Sequence, residues 1–240
     1  MSTCITVDGL TKSYAGRTVV DHLSFAVQQG EVFGLLGHNG AGKSTTIELL
    51  LGLKKQEQGK ATILGMEPAT NRKKLFERVG IQFQSSNYQC NIRVDEACQE
   101  RALLYAHSAD YRELLKQFGI EHLEKSPVNK LSGGEKQKLS VVLALVGKPE
   151  IVFLDELTTG LDVAARHEVW RTLKGLKEKG LTIFLTTHYM EEAENLCDHL
   201  CLMKNGRKVV EGTVQEIVEK SPYDNLENAY LWYMDEEVAL

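Results

Sequence analysis

The segment Gly37-His38-Asn39-Gly40-Ala41-Gly42-Lys43-Ser44-Thr45 constrains this chain more than any other. It lies between Glu31-Val32-Phe33-Gly34-Leu35-Leu36, which reads as a buried strand, and Thr46-Ile47-Glu48-Leu49-Leu50-Leu51, which reads as the start of a helix. Strand, glycine-rich turn and helix in that order predict a loop whose backbone N–H groups curl around phosphate oxygens. Gly37, Gly40 and Gly42 remove the Cβ atoms that would block that approach, and the helix N-terminus adds partial positive charge. Lys43 can reach the outer phosphates of a nucleotide, and the Ser44 hydroxyl is an oxygen ligand suited to Mg²⁺. A glycine-rich turn with no ligand would have no use for Lys and Ser at these two positions.

Leu131-Ser132-Gly133-Gly134-Glu135-Lys136-Gln137 opens an apolar helix over Leu139 to Val146, so a second anion cradle stands at a second helix N-terminus. Ile151-Val152-Phe153-Leu154-Asp155-Glu156 is an apolar run ending in two carboxylates, which places the acids at the carboxyl end of a buried strand, where ligands bind in parallel sheets. Taken together these motifs resemble the ATP-binding cassette (ABC) ATPases, and the resemblance covers nearly the whole chain.

The resemblance implies an α/β fold: a P-loop NTPase core with a parallel sheet, an N-terminal antiparallel β subdomain and a helical subdomain at about residues 85–147. Residues 1–220 would form a single ATPase domain and residues 221–240 a short tail. The family pattern further implies ATP and Mg²⁺ as cofactors, with residues 37–45 cradling the phosphates. Ser132, Gly133 and Gly134 would close over the γ-phosphate held by Lys43 of a second copy, giving two composite sites in a head-to-tail homodimer. Asp155 and Ser44 would hold Mg²⁺, and Glu156 would act as general base toward the attacking water.

His188, after Leu185-Thr186-Thr187, resembles the switch histidine that contacts the γ-phosphate, whereas His22, His38, His107, His122, His167 and His199 read as polar residues in loops. Gln84 closes Val79-Gly80-Ile81-Gln82-Phe83-Gln84 and resembles the glutamine that senses Mg²⁺ and water, with Gln82 competing for the assignment. Gly160-Leu161-Asp162 resembles the loop that links the two dimer sites, and Tyr14 the aromatic that stacks on adenine. The family usually has Pro after the Asp-Glu pair; this chain has Leu157, as in some drug-exporter-like members.

A length of 240 residues, 42% hydrophobic and 25% charged, suits one globular cassette. A net charge of -5 argues against nucleic acid as the main partner, and Arg72-Lys73-Lys74 reads as a solvated helix face. The longest apolar run falls short of the roughly 18 to 20 residues that cross a bilayer, which assigns the membrane part to a separate permease subunit. Met1-Ser2-Thr3-Cys4 leads directly into strand-like Ile5-Thr6-Val7, so no leader is read, and the expected place is the cytoplasm, peripheral on the inner face of the membrane. Five cysteines without a C-x-x-C pair fit reduced thiols, with no zinc site at Cys197, His199 and Cys201.

Strand-like Ile5 to Leu10, Val19 to Val27 and Lys60 to Leu64 should form the antiparallel sheet. Helices are expected over Val94 to Tyr105, Tyr111 to Phe118 and Leu139 to Val146. Ile151 to Leu154, Val169 to Lys177, Thr182 to Thr187 and Met190 to Leu196 then complete the parallel sheet and its helices. The aromatic stripe Leu226, Tyr230, Leu231, Trp232 and Tyr233 predicts a last amphipathic helix packed on its own core. The short helical region and the Thr186-to-Glu194 stretch resemble ABC-2 type exporters of drugs, antibiotics or lipids; an importer ATPase, or a soluble ABC ATPase acting on ribosomes or DNA, stays open as the alternative.

Overall fold

The chain opens as a long hairpin because β1 (Thr3–Tyr14) and β2 (Arg17–Gln28), which pair antiparallel, are rich in β-branched residues. Its two-residue turn, Ala15-Gly16, takes positive φ at both positions (49° and 81°), the geometry that matches the twist of the strands. The computed structural model describes residues 2–83 and 88–235. Gln84 and the Ser85-Ser86-Asn87 segment lie outside them.

Two compact units divide the chain: Met1–Leu75 with Phe184–Leu240, and Phe76–Ile183. In the first, β3 (Val32–Leu36) is followed by α1 (Lys43–Leu50), β4 (Gln58–Ile63) and α2 (Pro68–Phe76). Strand β4 pairs with the far edge of β1, giving a three-stranded sheet of order β2-β1-β4. Stacked rings join this sheet to β3, with Phe25 5.0 Å from Phe33 and Phe33 5.5 Å from Phe184.

Strands β5 (Val79–Gln82) and β6 (Ile151–Asp155) belong to the second unit and run parallel, with Gln82 opposite Leu154. Around them lie α3 (Val94–Ala102), α4 (Tyr111–Gln117), α5 (Gly133–Leu145) and α6 (Val163–Lys177). Helix α3 stops at Ala102, three residues short of the expected end. Tyr105 N–H turns back to the Ala102 carbonyl, and Leu103 and Leu104 face solvent. Asp110 caps α4 by accepting from Arg112 N–H. Gly119 (φ 67°) ends it, with Gly119 N–H donating to Lys116 and Ile120 N–H to Leu115, the paired bonds that satisfy the last carbonyls. Helix α5 begins six residues before the apolar run, because Ser132 and Glu135 supply a capping box.

The chain returns to the first unit within β7 (Thr182–Thr187) and continues through α7 (Met190–Leu196), β8 (His199–Lys204), β9 (Arg207–Gly212), α8 (Val214–Glu219) and α9 (Leu226–Met234). Strands β7, β3, β8 and β9 lie in that order. Strand β8 is parallel to β3, as the expected parallel core requires, and β9 is antiparallel to β8, an edge strand that the sequence reading did not assign. The cause is Asn205-Gly206, both at positive φ, which folds β9 straight back along β8. Helix α9 sinks Leu226 and Tyr230 into a cluster with Leu36, Leu200, Leu202 and Ile217. The cluster therefore reaches Leu36, the residue that precedes Gly37.

Gly80 in β5 lies so close to the backbone carbonyl of Ala144 in α5 that a Cβ there would overlap it. Gly80→Ala is expected to destabilise the protein by about 1–3 kcal/mol, since backbone and not a flexible side chain must yield. Urea unfolding followed by circular dichroism measures this, and an unchanged midpoint would count against the close packing of α5 on β5.

Candidate nucleotide site

The phosphate loop leaves β3 at Leu36 and enters α1 at Lys43. Room is short at two of its glycines. A Cβ on Gly37 would stand 2.6 Å from the Met203 carbonyl oxygen, and one on Gly42, at φ 106°, 2.5 Å from that of Val19. Gly40 takes φ 84° in open space. The Lys43 side chain is buried and its Nζ donates to the carbonyls of Gly37 (2.8 Å) and His38 (3.2 Å), so the loop wraps its own ammonium group. Gly42 is the N-cap of α1 and offers no side-chain acceptor, which leaves the first-turn donors and the helix dipole directed at an incoming anion. Ser44, His38, Asn39 and Gly40 are exposed and Thr45 is half-buried, while Ala41 is packed inside.

The histidine singled out from sequence lies beside this loop. Gly37 N–H donates to the Thr187 carbonyl (3.4 Å), and Tyr189 N–H to the Thr187 hydroxyl (3.0 Å), which fixes the backbone on both sides of His188. The His188 ring rests on Tyr189 at 4.1 Å. Tyr14 closes β1, 41% exposed, with the Lys12 ammonium 5.2 Å from its ring. An exposed aromatic face of this kind is what stacking requires.

In the second unit, β6 delivers Asp155 and Glu156 at its carboxyl end, both buried. Glu156 takes φ 50°, an uncommon backbone for a non-glycine residue. The turn beyond it is closed by Thr159 N–H to the Glu156 carbonyl (3.2 Å) and Leu161 N–H to that of Thr158 (3.1 Å). Asp162 then caps α6 by accepting from Ala165 N–H (2.8 Å). Ser132, Gly133 and Gly134 open α5, with Ser132 and Gly133 exposed. Gly134 lies against Leu161, whose Cδ2 would be 3.2 Å from an added Cβ, so the signature segment and the Gly160–Asp162 loop are neighbours. Sequence reading placed these motifs without anticipating their contact.

Two buried polar groups stand at this end of the strands, Gln82, read from sequence only as a rival to Gln84, and Thr158, which was not singled out. Gln82 Nε2 donates to the carbonyls of Phe83 (2.7 Å) and Asp155 (3.4 Å), and among the described residues its Oε1 and the Thr158 hydroxyl are buried without a partner. A glutamine inside an otherwise apolar strand was the available signal. Four histidines read as loop residues belong instead to regular structure: His22 in β2, His122 in a 3-10 turn over Glu121–Leu123, His167 in α6 against Trp170, and His199 in β8 against Phe33. Burial pushes the Cys197 and Cys201 thiols upward, and no group of three metal-ligating side chains occurs among the described residues.

The capping box of α5 is open to test. Hydrogen bonds from the Ser132 backbone N–H and then the Ser132 hydroxyl hold the Glu135 carboxyl below its ordinary value of 4.5. A carboxyl with a lowered folded pKa stabilises fully above 4.5 and loses that contribution as pH falls toward its lowered value. Ser132→Ala is expected to cost about 1 kcal/mol at neutral pH in urea unfolding. Glu135→Gln should flatten the fall in stability below pH 4.5; an acid limb identical to that of the unaltered protein would overturn the assignment.

The family model described as ABC transporter matches residues 20–159. Two relatives are named Nod factor export ATP-binding protein I. The one from Ralstonia nicotianae is 41% identical over 89% of this chain and 68% of its own length; the one from Mesorhizobium japonicum is 42% identical over 88% of this chain and 64% of its own. A solved structure described as the ATP-binding subunit of an ABC transporter superposes with a TM-score of 0.89 at 29% identity, over 97% of this chain and all of that one. No helix among the described residues is long and apolar enough to cross a membrane. Phosphate loop, signature helix and paired carboxylates thus occur on the backbone that this family uses for ATP hydrolysis, and the chain belongs to the ABC transporter family as an ATP-binding ATPase domain.

Proposed function

We propose that the chain powers export through a separate permease subunit, two copies closing on ATP and hydrolysing it. The observation that carries this reading is the buried Lys43 ammonium inside a loop that opens an uncapped helix, a cradle shaped for the outer phosphates. Export is favoured by the names of the two relatives, and a drug, antibiotic or lipid-like cargo by the drug-exporter-like Leu157. An importer subunit is the alternative within transport.

In this reading the loop from Gly37 to Thr45 holds the phosphates, Tyr14 stacks on adenine, and Ser132, Gly133 and Gly134 of one copy approach the γ-phosphate bound by the other. Glu156 accepts a proton from the attacking water, His188 orients the γ-phosphate, and Asp162 helps link the two sites. The Ser44 hydroxyl and the Asp155 carboxylate are hard oxygen donors that suit Mg²⁺, with Gln84 assigned to the same group from sequence. Mg²⁺, when bound, offsets phosphate charge. The chain would work in the cytoplasm, attached to the inner face of the membrane through its permease, with no nucleic-acid partner given its net charge of -5.

Glu156→Gln keeps the shape and removes the base. It is expected to retain ATP binding and ATP-driven dimerisation while the hydrolysis rate falls about 10² to 10⁴-fold, or roughly 3–5 kcal/mol in barrier. Phosphate release and light scattering measure the two properties. Near-normal turnover would remove Glu156 from the role, and hydrolysis without ATP-dependent association would count against the composite sites.

A further inference from the structure

We propose that Gln82 is a positioning residue of the hydrolytic site, its carboxamide fixing the backbone on which Asp155 and Glu156 stand; the inference rests on the roles given to these two acids above. Strand β5 is buried, and Gln82, 2% exposed, occupies a slot that buried parallel strands ordinarily fill with an apolar side chain. Burying a carboxamide is unfavourable unless its polar atoms are bonded. Nε2 meets this condition through the carbonyl of Phe83 at 2.7 Å and, more weakly, that of Asp155 at 3.4 Å. Both partners are acceptors, so the nitrogen must face them; the opposite rotamer would set Oε1 against two carbonyl oxygens. The orientation is therefore determined, and it leaves Oε1 buried with no partner among the described residues. An apolar residue of the same length would fill the slot without that cost, which directs attention to what the nitrogen holds.

The Asp155 carbonyl belongs to the peptide that joins Asp155 to Glu156. Gln82 thus bonds the peptide plane immediately before the residue at φ 50°, from the neighbouring strand paired in register at Leu154. Rotation of that plane moves both carboxylates, one on each side of it. The loop that grips the phosphates is held by other partners, the carbonyls around Lys43 and the Thr187 carbonyl at Gly37. Release of Gln82 should therefore disturb turnover and not ATP affinity. Misplacement of a reacting group by about 1 Å can cost 10²-fold, so a partial loosening corresponds to about ten-fold.

Gln82→Met keeps length and removes both hydrogen-bonding groups; Gln82→Leu is a second apolar variant in case Met repacks. Each is assayed for steady-state ATP hydrolysis and urea unfolding, alone and in the Glu156→Gln background. The expected result is a kcat about ten-fold lower with KM for ATP within about two-fold, an unfolding midpoint at or above that of the unaltered protein, and no further loss in the Glu156→Gln background. The last readout separates a residue acting through Glu156 from a merely structural one, whose effect would add. Unchanged kcat in both folded variants, a loss that adds to Glu156→Gln, or a KM raised in step with the fall in kcat would each overturn the proposal. An unaltered protein that fails to hydrolyse ATP would sink the ATPase reading itself, and near-normal Glu156→Gln would sink the role of the base; both are distinct from a null result at Gln82.

Discussion

A single backbone carbonyl, that of Val19, sets the shape of the phosphate loop. It stands 2.5 Å from where a Cβ would lie on Gly42 and 2.5 Å from the same point on Gly206, so strand β2, the loop and the β8–β9 turn converge on one oxygen atom. Gly206 N–H donates to the Ala41 carbonyl at 3.0 Å and its carbonyl accepts from Asp21 N–H at 2.9 Å, closing the arrangement with main-chain bonds. Because backbone, not side chains, makes these contacts, there is no rotamer freedom through which the loop could relax. The buried Lys43 depends on this, since its carbonyl acceptors are useful to an ammonium group only if they are held in place.

The same economy explains what the sequence could and could not reveal. Gly37-to-Thr45 and Ile151-to-Glu156 were legible as candidates because apolar runs, glycines and charged residues follow one another along the chain, so each candidate motif is a local one. Ser132 with Glu135 is a local pair and is equally readable as a cap. Gly206 was not legible as a support of the loop, since its partners Val19 and Ala41 are more than 160 residues away. The antiparallel β9 escaped for a different reason: Arg207-Lys208-Val209-Val210-Glu211-Gly212 is half-buried and charged, so neither alternation nor an apolar run marks it, although Asn205-Gly206 is a hairpin turn pair. Gln82 failed differently again. It was noticed, but only as a rival to Gln84, because a linear reading weighs side chains by motif and cannot show which carbonyls a buried amide meets.

Glu156 completes the argument, because its backbone conformation is unfavourable and must be held. A left-handed residue that is not glycine costs roughly 1–2 kcal/mol. The turn bonds of Thr159 and Leu161 and the tie from Gln82 to the Asp155 carbonyl restrain it, and the next residue, which departs from the family pattern, adds burial directly after it. Leu157 is 1% exposed, and burying a leucine side chain is worth about 1.5–3 kcal/mol. That gain is of the same order as the cost at Glu156. Proline would stiffen this turn by fixing its own φ; leucine anchors it by burial, so the substitution exchanges one restraint for another and the carboxylate remains presented at the end of β6.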